Sequence, residues 1–232
     1  MLRFSSHRAM FISHGRQYIF IHIPKTGGTS MALALEDRAK KDDILIGDTP
    51  KATKRRRKYQ SSDCKGRLWK HSTLADIEGL VGADEIERYF TFTMVRNPWD
   101  RVVSYYHWLR DQNFDHPAVK LAKGEACSGF LSHPLTWRTL QETPARFYMT
   151  DARGNEVCDT YIRLEHVDQD AETLVEHLGF SLRLPRVNES SRRKDYRSYY
   201  NDSDAEFLAD ICAEDIKRFG YHFDPVKTPV VL

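Results

Sequence analysis

The chain has 232 residues, a length that suits one domain with a sizeable core, and we expect a single domain over residues 1–232. Its formal net charge is only +2, which gives no global electrostatic case for binding nucleic acid. The sequence has no apolar stretch of membrane-spanning length, and residues 1–15 have no apolar signal-peptide segment. We therefore expect no stable membrane anchor.

The first informative segment is a β-prone apolar run that ends in a glycine turn. Residues 17–23 predict a strand and residues 29–39 predict a helix, and between them lies the turn Lys25-Thr26-Gly27-Gly28-Thr29-Ser30. Unpaired backbone N–H groups at the helix start, close approach at the glycines and the lysine charge together predict an anion site. In a Walker A loop the lysine follows the last glycine, whereas here it precedes the glycines. The turn is therefore P-loop-like only in its strand-turn-helix form.

The next segment is polar and carries a dense basic run. Residues 40–68 show no clear periodicity, so the sequence predicts no element there. The run within residues 51–58 is either a solvated loop or an electropositive edge that attracts an anionic acceptor, and its members are Lys51, Lys54, Arg55, Arg56, Arg57 and Lys58. A helix near residues 73–81 follows, with Thr73 and Asp76 as a capping box.

A second β-prone run covers residues 89–95 and ends at Arg96. Asn97 suits the N-cap of a helix over residues 98–110, and Pro98 suits its first position. The run thus places Arg96 at the carboxyl end of a strand, where open α/β sheets bind ligands. Ser104 lies two turns into the helix.

The rest of the chain continues to alternate between α and β segments. Shorter helices are predicted across residues 117–147, a strand near 159–164, a helix at 168–178 and a last helix over about 204–219. Ser203 and Glu206 form a possible capping box for the last helix, and Gly220 ends it. The alternation predicts an α/β fold with a mainly parallel central sheet flanked by helices.

The two motifs, HIPKTGGTS and VRNPWDRVVSYY, resemble the signatures of sulfotransferases that use 3′-phosphoadenosine 5′-phosphosulfate (PAPS). The resemblance is closest to the glycan O-sulfotransferases and their bacterial relatives. It implies that Lys25 to Ser30 hold the 5′-phosphosulfate, with Lys25 on the bridging oxygen. It also implies that Arg96 and Ser104 hold the 3′-phosphate, and that Arg192 and Arg193 add contacts to it in a segment that folds over the nucleotide. Golgi members of this branch carry a membrane anchor. Because this sequence shows no such anchor, the resemblance suggests a bacterial cytoplasmic enzyme.

The reaction that the resemblance implies needs a base for the acceptor hydroxyl. His71 is the first candidate because it directly precedes the predicted helix at the ligand-binding edge, and because glycan sulfotransferases often have a histidine base in this interval. Glu165, at the end of a strand-like run, is the alternative. The sequence has no metal-ligand spacing such as H-E-x-x-H, so we expect no metal requirement.

The expected activity is sulfuryl transfer from PAPS to an acceptor hydroxyl, with a carbohydrate as the expected acceptor and adenosine 3′,5′-bisphosphate (PAP) as the product. Two alternatives stay open from the sequence. One is a P-loop kinase or NTPase, which would need a lysine after the last glycine and an acidic magnesium ligand ending a strand. The other is a catalytically silent relative that binds nucleotide or glycan. The sequence does not reveal the acceptor's identity or the oligomeric state.

Overall fold

The structure is a computed structural model that describes residues 9–55, 59, 64–185 and 192–224. The chain divides into two compact units, Met1–Arg96 with Ala145–Glu189 and Asn97–Pro144 with Ser190–Leu232. The single domain over 1–232 stays a prediction. Within the described ranges, no helix combines the length and apolar character needed to cross a bilayer.

The helices of the described residues, in chain order, include several short segments. They are α1 (Gly28–Asp37), α2 (Pro50–Arg55), α3 (Ala83–Arg88), α4 (Pro98–Arg110), α5 (Pro117–Gly124), α6 (Cys127–Ser132), α7 (Pro134–Glu142), α8 (Ala145–Tyr148), α9 (Val167–Asp170), α10 (Glu172–Leu178), α11 (Asp202–Ile211) and α12 (Ala213–Phe219). Two 3₁₀ helices cover Leu164–His166 and Tyr196–Tyr199. The second unit contains α4 to α7, α11 and α12, and the first unit contains the other α-helices.

A mixed sheet forms the centre of the first unit. Its strands are β1 (Ala9–Ser13), β2 (Tyr18–Ile21), β3 (Ile44–Gly47), β4 (Phe90–Val95) and β5 (Thr160–Arg163), in the spatial order β3-β1-β2-β4-β5. Strand β4 pairs in parallel with β2 and β5, whereas β1 pairs antiparallel with β2 and β3. The α/β class is confirmed, and the strands that carry both motifs are parallel as predicted. The antiparallel pairs come from β1 and β3, which the sequence analysis did not predict.

Apolar packing fixes the two motif strands side by side. Phe20 of β2 stacks on Phe92 of β4 with ring centroids 5.1 Å apart, and both rings are fully buried. Met31 and Leu35 of α1 belong to the same buried cluster. Because these residues leave water together, the carboxyl ends of β2 and β4 and the start of α1 are held in fixed positions.

The helix predicted near residues 73–81 is absent from the described structure, although its capping interactions form. Thr73 N–H donates to Asp76 Oδ2 at 2.8 Å, and Asp76 N–H donates to Thr73 Oγ1 at 3.2 Å. The chain between them turns, because Leu74 N–H donates to the carbonyl of Tyr148 at 3.0 Å instead of starting a helical ladder. The helix of this region, α3, begins only afterwards.

Two other predicted helices are each split in two. The helix expected at 168–178 is α9 followed by α10, and the last helix is α11 followed by α12. The second break falls at Cys212, whose φ of −101° departs from helical geometry. The capping box expected at Ser203 is wrong, because Asn201 is the N-cap and accepts from Asp204 N–H at 2.8 Å.

The segment 40–68, for which no element was predicted, contains β3 and α2. Part of its basic run has a structural role: the Lys51 ammonium donates to the Glu36 carbonyl, and the Arg55 guanidinium donates to the Lys40 carbonyl at 2.8 Å. Lys51 thus binds a carbonyl in the last turn of α1, where the helix dipole is negative, and Arg55 binds a carbonyl of the chain just beyond the helix. Residues 56–58 of the run lie outside the described residues.

In the second unit, α4 has the boundaries and the cap that the sequence predicted. Asn97 Oδ1 accepts from Trp99 N–H at 3.1 Å, and Pro98 occupies the first helical position. The apolar face of α4 is buried, and its Tyr106 ring packs on Phe130 of α6 at 5.4 Å. The opposite face of α4 is therefore the one that can carry polar functional groups.

Candidate active site

The turn between β2 and α1 has the backbone form of an anion-binding loop. Lys25 and Gly27 have φ values of 67° and 86°, and Gly27 precedes the first helical residue. Thr26 is buried, and its hydroxyl donates to the Ile23 carbonyl at 2.9 Å, so this side chain stabilises the turn itself. The first N–H groups of a helix have no partner within the helix, and here they follow a lysine and two glycines. Thr29 and Ser30 lie in the first turn of α1.

Both glycines are required by what packs beside the turn. A Cβ on Gly28 would lie 2.3 Å from Cδ2 of His22, and a Cβ on Gly27 would lie 2.6 Å from Cδ1 of Leu164. Gly27 also has the left-handed backbone that side chains disfavour. The glycines therefore serve the packing under the turn as well as the approach of an anion.

His71 is buried against this turn through His22. Its Nδ1 lies 2.7 Å from the carbonyl oxygen of His22, and the two rings meet edge to face with centroids 4.7 Å apart. A carbonyl only accepts, so Nδ1 carries the hydrogen and Nε2 holds the lone pair of the neutral ring. His22 is itself buried, and its carbonyl sets the tautomer of His71.

Trp69 is an exposed aromatic residue beside His71. Its ring centroid lies 5.0 Å from that of His71 at an interplanar angle of 84°, and 45% of the residue is exposed. Its backbone is fixed by the Ser72 hydroxyl, which accepts from Trp69 N–H at 2.9 Å. The sequence analysis missed Trp69, although its place two residues before His71 was a usable signal.

Arg96 lies at the same edge of the sheet as the glycine turn. Strands β2 and β4 are parallel with Ile21 opposite Thr93, so the residues that follow each strand emerge side by side. The Arg96 guanidinium donates to the carbonyl of Lys25 at 3.3 Å. Arg96, which ends the first unit's part of the second motif, thus contacts the backbone of the glycine turn.

Glu165, the alternative base, is exposed in the 3₁₀ helix that follows β5. The end of β5 is fixed by an ion pair in which the Arg163 guanidinium binds both carboxylate oxygens of Asp170, with distances of 2.7 and 2.8 Å. The pKa of Asp170 is lowered mainly by these hydrogen bonds, and burial of the carboxyl opposes the shift. The pair holds in place the segment that presents Leu164 to the glycine turn.

In the second unit, Ser104 is buried on α4, on the same face as Asp100 and His107. The Arg192 guanidinium donates to Asp100, and the Arg193 guanidinium lies over the Tyr199 ring, 4.8 Å from its centroid. The predicted residues Ser104, Arg192 and Arg193 thus all belong to this unit. Their roles in binding a nucleotide stay predictions.

The part of the chain that the structure describes has no cluster of side chains suited to binding a metal ion. No three His, Cys, Asp or Glu residues come together there in a way that could hold an ion. The groups gathered at the glycine turn are instead an ammonium, backbone N–H donors and an imidazole, which suit an anion and a proton transfer.

Adjacent parallel strands that end in a lysine–glycine turn and in an arginine, beside a buried histidine, define an α/β protein with a candidate anion site. The chain belongs to the sulfotransferase family, whose model matches residues 8–222. This confirms the resemblance carried by the two motifs. A similar solved structure is the mouse sulfotransferase SULT7A1 complexed with PAP, with 13% identity, a TM-score of 0.44 and coverage of 86% of this chain and 83% of that chain. No match was found among curated proteins.

Proposed function

We propose that the protein transfers the sulfuryl group of PAPS to a hydroxyl of a carbohydrate, releasing PAP. The observation that carries the proposal is the contact of His71 Nδ1 with the His22 carbonyl. The His22 ring packs where Gly28 lacks a side chain, so the contact joins a base to the anion-binding turn. A sulfotransferase needs such a neighbourhood because the acceptor hydroxyl must lose its proton where the sulfuryl group is held.

The glycine turn is the proposed site of the 5′-phosphosulfate. As the bond between sulfur and the bridging oxygen breaks, negative charge grows on the leaving phosphate. Lys25 and the N–H groups at the start of α1 would stabilise that charge, as in phosphoryl transfer. The left-handed backbone of Lys25 and Gly27 supports this role, because successive N–H groups in such turns converge on one point.

The proposed base is Nε2 of His71. It takes the acceptor proton while the acceptor oxygen forms its bond to sulfur and the bond from sulfur to the bridging oxygen breaks. The imidazolium that results keeps its Nδ1–H bond to the His22 carbonyl, which stabilises the added charge. The proposal therefore uses one histidine as the base, and Glu165 stays the alternative. It needs no metal ion.

The 3′-phosphate of the donor is assigned to Arg96, Ser104, Arg192 and Arg193 by the family resemblance. The guanidinium of Arg96 is the member whose position next to the glycine turn supports the assignment directly. Charge-assisted hydrogen bonds to a phosphate are strong, so we expect these four residues to contribute much of the affinity for the donor.

A carbohydrate acceptor is supported by Trp69. Aromatic side chains line many ligand sites because they offer a large apolar face at low entropic cost, and sugar rings have apolar faces of matching size. Trp69 places such a face 5.0 Å from the ring of the proposed base. The exposed ring is therefore the proposed platform for the acceptor sugar.

The proposal is tested in two steps. Isothermal titration with PAP, adenosine 5′-phosphate and Mg²⁺–ATP should give tightest binding for PAP, whereas preference for Mg²⁺–ATP would favour the kinase alternative. Transfer of label from [³⁵S]PAPS is then measured with desulfated glycosaminoglycans, neutral oligosaccharides and simple phenols, with and without EDTA. Carbohydrate labelling that resists EDTA supports the proposal. PAP binding without any transfer would favour a silent relative, and transfer to phenols alone would contradict the acceptor class.

A further inference from the structure

The polar face of α4 in the second unit carries a histidine, His107, that the proposed function has not used. Asp100, Ser104 and His107 follow one another at spacings of four and three residues, so their side chains share one face of the helix. The Arg192 guanidinium donates to Asp100 through NH2. Its NH1 is buried and makes no hydrogen bond within the residues that the structure describes.

His107 has the same deficit on the same face. Its Nε2 is buried and has no hydrogen-bond partner among the described residues. The ring is held edge-on by Tyr199 and Tyr106, with centroids 5.1 and 5.3 Å away. Buried polar groups without partners are costly, and two of them here, one on α4 and one on the arginine bound to its Asp100, indicate a ligand that supplies acceptor oxygens. A phosphate group has such oxygens on several sides.

Burial and the charges around His107 lower the pKa of its imidazole while this face has no anion. Burial lowers its pKa first, the guanidinium groups of Arg192, Arg110 and Arg193 lower it further, and Asp111 opposes them. A phosphate dianion would offset the arginine charges and raise the pKa again. The other ionisable groups that face this region are Asp100, bound to Arg192, and the phenols of Tyr106 and Tyr199.

We propose that His107 is a further ligand of the donor's 3′-phosphate, beside Ser104 and Arg192, and that it takes up a proton as the nucleotide binds. The proton comes from solvent or buffer, and the resulting Nε2–H⁺ donates to a phosphate oxygen. This inference rests on the proposed function and adds a residue and a proton linkage to it. The bound nucleotide then satisfies both buried nitrogens.

The sign of the linkage follows from the direction of the shift. The pKa of His107 is lower in the empty site and higher in the occupied site. At a pH between these two values, His107 therefore takes up a proton as the nucleotide binds. Affinity for PAP therefore rises as pH falls from 8 towards 6.5. The 3′-phosphate itself has a second pKa of about 6 and works in the opposite direction at lower pH, so the test needs a variant that removes only the histidine.

The experiment is calorimetric titration of PAP at pH 7.0 in two buffers of different ionisation enthalpy, and at pH 6.5 and 8.0. Wild-type protein should take up a fraction of a proton and bind more tightly at pH 6.5. His107→Gln, which keeps a hydrogen-bond donor without the charge, should lose that uptake and bind about tenfold more weakly at pH 6.5. His177→Gln is the matched control, because His177 lies in the first unit, where its Nε2 contacts the backbone carbonyl of Arg16 at 2.8 Å.

The outcomes separate the two proposals. Failure of wild type to bind PAP would contradict the proposed function itself. PAP binding with no proton uptake in the wild type, or with equal uptake in His107→Gln, would overturn the role of His107 and leave the proposed function standing. Weaker binding of His107→Gln at unchanged uptake would make the residue a neutral ligand and also overturn the proposal. If circular dichroism shows that His107→Gln is misfolded, His107→Asn replaces it, and proton uptake by the wild type is measured as before.

Discussion

Nδ1 of His71 lies 2.7 Å from the carbonyl oxygen of His22, the residue whose ring packs under Gly28. This contact fixes the tautomer of His71 and ties its ring to the turn that would hold the transferred group. A base whose proton-accepting nitrogen is set by the backbone needs no third side chain to orient it. The relationship links the proposed base and the proposed donor site through one residue.

The first prediction concerns this base. His71→Ala should lower kcat by about 10²–10⁴, the usual contribution of a positioned general base, and leave the Kd of PAP nearly unchanged. Steady-state kinetics with PAPS and titration with PAP measure the two effects. His177→Ala removes another histidine that contacts a backbone carbonyl and should retain activity. Near-normal turnover of His71→Ala would transfer the role to Glu165, tested with Glu165→Gln.

Lys25 should act on the transition state more than on donor binding. If it stabilises the leaving oxygen, Lys25→Ala lowers kcat strongly with a smaller loss of donor affinity, because the charge it contacts grows as the bond breaks. Lys25→Arg should recover little, since a planar guanidinium does not replace a compact ammonium. Lys65→Ala, which removes an exposed partner of Glu78, is the control. A change confined to KM would indicate that Lys25 only recruits the donor.

Arg96 should discriminate PAP from adenosine 5′-phosphate. Wild type is expected to bind PAP much more tightly, and Arg96→Ala should weaken PAP by roughly tenfold or more while changing the monophosphate little, since a charge-assisted hydrogen bond contributes about 1.5–3 kcal/mol. Calorimetry with both nucleotides gives the comparison. Arg88→Ala, on α3, is the control. Equal affinity of wild type for the two nucleotides would contradict the assignment.

Gly28 should tolerate no side chain. A Cβ there would lie 2.3 Å from the His22 ring, so Gly28→Ala must shift this ring, which packs edge to face on His71 with centroids 4.7 Å apart. We expect a lower Tm and a loss of turnover larger than the loss of stability explains. Gly124→Ala is a matched control, because a Cβ at Gly124 meets nothing within 4 Å, and it should be neutral or slightly stabilising. A fully active Gly28→Ala variant would be inconsistent with the packing described.

The Arg163–Asp170 pair should contribute to stability at neutral pH. Its hydrogen bonds lower the pKa of Asp170, so the stabilisation is present above the unfolded-state pKa of about 3.9 and is lost as pH falls through the lower folded value. Asp170→Asn should lower the free energy of unfolding by about 2 kcal/mol at pH 7. Urea denaturation at pH 7 and pH 3 should show the difference shrinking in acid.

The control for this pair is an exposed one. Asp115 contacts Lys120 at 2.7 Å, but both side chains are largely exposed. Asp115→Asn should therefore change the free energy of unfolding by less than about 1 kcal/mol at either pH. Equal effects of the two substitutions would mean that burial does not strengthen the Arg163–Asp170 pair.

Some features could be read from the sequence because they depend on neighbours along the chain. The lysine–glycine turn, the Asn97 cap with Pro98 after it, and the end of α10 at Gly179, whose φ is 70°, all arise from contacts within a few residues. Such signals hold wherever the segment sits in the fold. The motif residues at the ends of β2 and β4 were predicted on this basis.

Other features were decided only by the tertiary structure, because their partners are distant in the chain. Thr73 and Asp76 form their predicted hydrogen bonds, yet Leu74 donates to Tyr148, and that long-range bond replaces the helix with a turn. The short strand β3 gains its hydrogen bonds from β1 and has too few residues to show a period of its own. The tautomer of His71 likewise depends on a carbonyl 49 residues away. The sequence by itself determined the turns and caps whose contacts lie within a few residues, and tertiary packing decided which other segments become helix or strand and which elements stand next to one another.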